Sequence, residues 1–238
     1  MSCRLCLHKR DLCDSHVIPE FLYRPGYDEK GRMEVLRRTS SRTRYIQKGF
    51  REKLLCADCE GLLANRYEAY FAKLWYIQKP LPPSTNLARI ELGGIDYSLF
   101  KLFHLSILWR ASVSSLGPFA RVQLGPHSER IRTMLLNEDP GLPSEYQILG
   151  AIVLFPGTRE VLEGVISSPT AHRYQGRRIY TFLFGGCVWN YVEGSRPIQS
   201  LAQAALSPTG TMIMLVRDLS RIKPLDSFFR DHLSLSRL

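Results

Sequence analysis

Four cysteines fall into two pairs of one spacing. Cys3 and Cys6 stand in "CRLC", and Cys56 and Cys59 repeat the spacing in "CADC". A single pair can be a redox dithiol or half of a metal site. The duplication argues for metal, because four soft thiolates at this spacing form the ligand set of a tetrahedral structural zinc ion. Unligated, they would repel one another, and an ion removes that conflict. Cys13 and Cys187 have no partner in spacing and read as incidental thiols. Between the pairs lies "DSHVIPE", where Ser15 and His16 precede a Val-Ile-Pro run. Histidine exchanges protons near neutral pH, although a lone one in such a run is ordinarily a half-buried ring bonded to backbone. Glu60 follows the second pair at once, in the first turn of an expected helix.

The elements that must position these residues follow from pattern. "MEVLRR" and "RYIQKGFREKLL" read as short strands around a basic loop. "CADCEGLLANRYEAYFAKLWYIQK" reads as a helix with Leu62, Leu63, Tyr67, Tyr70, Phe71 and Leu74 in its apolar stripe. Glu68 falls on roughly the same face as Glu60. "PLPPSTN" breaks the pattern. The division expected is one unit at 1–79 and another at 86–238. In the second, "ARIELGGIDYSLF" suggests a hairpin turning at Gly93-Gly94. A long apolar helix, "YSLFKLFHLSILWRASVSSL", and a second helix capped by Ser128 follow. Strands then dominate from Tyr146, and "DSFFRDHLSL" reads as a closing helix. The expected class is α+β, with two helices and a mainly antiparallel sheet after the cysteine-rich module.

The 238 residues carry a net charge of +10, which favours a polyanionic partner. Hydrophobic content of 45% and charged content of 23% are those of a folded globular chain. Residues 1–79 hold 16 Lys and Arg against 10 Asp and Glu. Within them Arg37, Arg38, Arg42, Arg44, Lys48, Arg51 and Lys53 are seven basic residues interrupted by one acid. They are candidates for phosphate contact, which sets affinity and salt dependence without reading sequence. No apolar leader follows Met1 and no stretch reaches membrane-spanning length, so a cytoplasmic protein with no membrane partner is expected.

In the order "CRLC", "SHVIP", "LLCADCE", the motifs resemble the zinc-stapled members of the HNH endonuclease family, the ββα-metal nucleases. The resemblance covers under a third of the chain. It implies an N-terminal zinc-bound ββα-metal, treble-clef-like module, with Cys3, Cys6, Cys56 and Cys59 on the structural ion. It implies that His16 is the general base and that Ser15 and Glu60 stand where ligands of a catalytic Mg2+ or Mn2+ would be. The family has Asp or His where Ser15 stands, and His or Asn where Glu60 stands. The exchange still supplies one neutral and one anionic oxygen, which suits magnesium. Asp14 is set aside, being expected on the opposite face of the strand from His16. The implied activity is hydrolysis of nucleic-acid phosphodiesters, DNA before RNA, in bacterial or phage defence.

Residues 86–238 carry no motif with chemistry. Arg110, beside Trp109 on an apolar helix, reads as a satisfied core residue. Two other functions compete with cleavage. One is a zinc-stapled module that binds nucleic acid without cutting it. The other is a protein-interaction or ligand-sensing protein, in which the C-terminal region meets a protein partner or a small-molecule trigger.

Overall fold

The structure, a computed structural model, describes residues 1–35 and 44–222. The expectations for Arg37, Arg38, Arg42 and the closing helix lie outside the described residues, and Arg44 is described only as a backbone position. The chain is mixed α+β. Strand β1 (Asp14–His16) pairs antiparallel with β4 (Arg51–Lys53), placing Ser15 opposite Glu52 and His16 opposite Arg51. Between them in sequence, β2 (Arg32–Val35) and β3 (Arg44–Gln47) form their own antiparallel pair. The single strand expected over "RYIQKGFREKLL" is therefore two. The break is at Lys48 and Gly49, both left-handed with φ of 57° and 67°. A Cβ on Gly49 would lie 2.6 Å from the Tyr23 ring, so glycine is required there by contact as well as by φ.

The second cysteine pair opens an unbroken helical run over 57–78. It alternates α1 (Ala57–Leu62), a π-helical stretch (Leu63–Glu68), α2 (Ala69–Ala72) and a second π-helical stretch (Lys73–Gln78). Leu63, Tyr67, Phe71 and Trp75 are all buried, at a strict four-residue spacing. Such a row drifts around an α-helix of 3.6 residues per turn, and the wider π turns hold it on one side.

Helix α3 (Tyr97–Val113) is capped by Asp96, whose carboxylate accepts from Leu99 N at 2.9 Å. Phe100 to Ala111 are buried on every side, as expected of a helix apolar all round. On one side Phe103 stacks on Phe71 with ring centres 3.9 Å apart. On another, His104 meets Trp189 and bonds Tyr191 Oη at 2.8 Å. Helix α4 (Pro126–Leu136) begins two residues ahead of the expected Ser128 cap, with Pro126 in its first turn after left-handed Gly125.

The sheet carries six strands: β5 (Arg89–Leu92), β6 (Ile148–Leu154), β7 (Ser167–Tyr174), β8 (Arg177–Phe184), β9 (Cys187–Val192) and β10 (Met212–Asp218). Their spatial order is β5-β10-β6-β9-β8-β7, antiparallel throughout except β10 with β6. The hairpin expected at Gly93-Gly94 is not formed, because β5 pairs with β10 and the glycines lead into the Asp96 cap. The apolar side chains of 1–79 and of the later segment pack into one continuous cluster, from Cys3 to Val216. No described helix is long and apolar enough to cross a membrane.

Candidate metal centre and histidine site

The sulfurs of Cys3, Cys6, Cys56 and Cys59 all lie within 4.8 Å of one another. Local geometry explains why. After Cys3 the chain doubles back, with Leu7 left-handed and Cys3 N donating to His8 O at 2.9 Å. Arg4 N donates to Leu54 O, which lays this turn beside the start of the 57–78 helix. Cys56 caps that helix, and its N–H points at Cys3 Sγ at 3.3 Å. Burial alone would raise the Cys3 thiol, but backbone donors from Cys56, Cys6 and Leu5 outweigh it and lower the thiol to about 7. Burial and the other sulfurs push the Cys59 thiol up. Four clustered sulfurs of this kind form a group that can hold one metal ion, and the donor set fits tetrahedral zinc. Among the described residues they are the one group of three or more His, Cys, Asp or Glu ligand atoms brought together in this way.

His16 lies at the end of β1, half-buried with 19% of its side chain exposed. Its Nε2 is 2.7 Å from the Lys48 carbonyl, which the left-handed Lys48-Gly49 turn presents. A carbonyl only accepts, so Nε2 carries the proton and Nδ1 of the neutral ring keeps its lone pair. The backbone of His16 is held as well. Arg110 Nη1 donates to the His16 carbonyl at 2.9 Å and pairs with Glu68 Oε1 at 2.8 Å. The Arg110 side chain is only 1% exposed, and its other donors meet Ser106 O and Ser106 Oγ. Glu20 Oε2 is 3.9 Å from Nε2. Asp14 shares the face of His16, because alternation with a period of two returns residues 14 and 16 to one side. Asp14 pairs with Arg51, the cross-strand neighbour of His16, at 2.9 Å. That corrects the expected placement of Asp14.

The other expected site residues are placed as follows. Ser15 is fully buried on the opposite face, and its Oγ accepts from Leu55 N at 3.2 Å. One oxygen of Glu60, Oε2, is buried with no hydrogen-bond partner. Among the described residues it belongs to no group of three or more His, Cys, Asp or Glu ligand atoms. Lys48 is exposed, Arg51 faces outward beside His16, and Lys53 Nζ is tied to Leu12 O at 3.1 Å.

Glu20, Arg110 and Glu68 join the surroundings of His16 without having been selected from sequence as site residues. For Glu20 the signal was available at four residues' distance, in "HVIPE". Comparison of the chain with known protein families, with curated proteins and with solved structures yields no match.

Proposed function

We propose that the chain hydrolyses phosphodiester bonds of nucleic acid, DNA first, as a zinc-stapled nuclease of the HNH kind. Zinc on Cys3, Cys6, Cys56 and Cys59 would close a treble-clef-like module and fix the start of the 57–78 helix against the β1–β4 pair. The observation that carries the reading is the bond between His16 Nε2 and the Lys48 carbonyl. It sets the tautomer in which Nδ1 is the base. Nδ1 then takes the proton of a water that attacks phosphorus, and the departing oxygen collects a proton from solvent. Exposed Lys48, in the turn beside the ring, would supply positive charge there, while Arg51 is paired with Asp14.

The test is cleavage of plasmid DNA by the full chain across a panel of divalent metals, beside His16→Ala. The wild type is expected to nick the plasmid, with the rate falling ~10²- to 10⁴-fold in the variant. Equal rates in both proteins, or none in either with any metal, would remove the nuclease reading.

A second reading is favoured by the burial of Ser15, whose Oγ accepts from Leu55 N on the face opposite His16. It is a zinc-stapled protein that binds nucleic acid without cutting it. It would show DNA affinity that falls steeply with salt and no cleavage.

A further inference from the structure

The geometry points to a second phosphate-contacting surface, at the tip of the β7–β8 hairpin, that holds the backbone of the same nucleic acid. The inference rests on the nucleic-acid reading above. Strand β7 is an edge of the six-stranded sheet. It joins β8 through Gln175-Gly176 alone, with φ of 46° and 73°. Two left-handed residues match the tight turns that follow strand twist, so the tip is short and its register fixed. In that register Arg173 stands opposite Arg178, and Tyr174 opposite Arg177.

Three observations give the tip its chemistry. First, between Gly164 and Val192 the sequence holds three arginines and no Asp or Glu. Second, like charges directly across a strand pair destabilise it, and Arg173 opposite Arg178 is such a pair. Arg178 is partly relieved, since its Nη1 donates to Gln123 O at 3.1 Å and Glu193 reaches the neighbouring Tyr180. Arg173 and Arg177 form no ion pair among the described residues. Third, Tyr174, 46% exposed, pairs with Arg177 on the other face of the hairpin from Arg173 and Arg178, so the tip offers arginine on both faces and a ring on which a base or sugar can rest beside Arg177. A repulsive arrangement compensated on one side only is one that an external polyanion relieves. Guanidinium groups are well suited to phosphate.

The tip is joined by contact to the strand pair that carries His16. Arg178 and Tyr180 both bond Gln123 O, in the turn that carries exposed Arg121. At the start of that turn Phe119 packs edge-on against Phe50, with ring centres 5.9 Å apart. Phe50 precedes Arg51, the neighbour of His16. The hairpin is thus linked by packing to the strand that carries Arg51, through a ring one residue before it.

The experiment compares binding of a short labelled DNA duplex by the full metal-loaded chain, by Arg173→Gln/Arg177→Gln and by Arg159→Gln/Arg196→Gln, across a salt series. The last variant removes the same charge from exposed positions elsewhere. The hairpin variant should bind at least ~10-fold more weakly at low salt. Its log–log salt slope should be shallower by about 2, at ~0.9 for each phosphate no longer neutralised. The control should keep the wild-type slope. Arg173→Lys/Arg177→Lys should recover most of it, which separates removal of charge from damage to the fold. An unchanged slope in the glutamine variant overturns the hairpin surface and leaves the nuclease reading standing. Hairpin-dependent binding with no cleavage in any metal leaves the surface standing and overturns the nuclease reading. Wild-type protein that ignores DNA but binds anionic lipid vesicles overturns the nucleic-acid partner.

Discussion

The two faces of β1 differ more than three residues would suggest. Ser15 turns inward, is fully buried, and spends its hydroxyl on Leu55 N. Asp14 and His16 turn outward, partly exposed, to Arg51 and to the Lys48 carbonyl. Opposite Ser15, Glu52 also turns away from the His16 face, toward Ser114 and Ser115 at the end of α3. The inner face thus holds the strand against the second half of the chain, and the outer face presents an oriented imidazole. Substitutions should divide accordingly, with stability changing on one face and chemistry on the other.

The largest expected effect tests that division at once. His16→Ala removes the proposed base and should lower cleavage ~10²- to 10⁴-fold. It should leave the thermal midpoint nearly unchanged, since the ring is half-exposed and the Lys48 carbonyl left behind can turn to water. A large fall in midpoint would put His16 among the structural residues and erase the contrast.

Arg110 is where the two faces meet, because it reaches from the core to the His16 carbonyl. Arg110→Met keeps much of the volume but leaves Glu68 without its partner. Removing one member of a buried ion pair costs ~3–5 kcal/mol, read from denaturant unfolding. At temperatures where the variant stays folded, cleavage should also fall, because the His16 backbone is released. Unfolding free energy within error of wild type would mean that Glu68 finds water, and that the clasp contributes little.

Ser15→Ala should cost less, ~1–3 kcal/mol, the range for a buried donor left unpaired. The donor is Leu55 N. Cleavage per folded molecule should be unchanged. A specific loss of activity, with stability intact, would return Ser15 to the ligand role that the family resemblance assigned it.

What was legible in the sequence follows the range of each interaction. The cysteine spacing is local within each pair, and soft ligands need company, so the joining of residues 3 and 6 to 56 and 59 could be foreseen. The strands from Tyr146 onward and the buried helix α3 were legible from apolar pattern. The orientation of His16 was not. Its ring partner is a backbone carbonyl 32 residues away, and its backbone partner is a guanidinium 94 residues away. A carbonyl has no side-chain signature, and Arg110 in an apolar helix looks the same whether it clasps a site or fills a core. The Gly93-Gly94 hairpin failed for a similar reason, since a glycine pair marks a turn without naming the strand that β5 will join.

The smallest effect concerns Glu52 and pH. Burial alone would raise its carboxyl, but the hydroxyls of Ser115 and Ser114 and the Ser115 N–H outweigh burial and hold it below its ordinary 4.5. A carboxyl lowered by folding contributes stability that is complete above its unfolded value and is lost as pH falls through the folded one. Wild type should therefore exceed Glu52→Gln in stability at neutral pH, and the gap should close below pH 4.5. Unfolding midpoints of the two proteins across an acid series would show it. A gap that persists in acid would mean that Ser114 and Ser115 bind the neutral side chain equally well, so that the inner face is held by shape and not by charge.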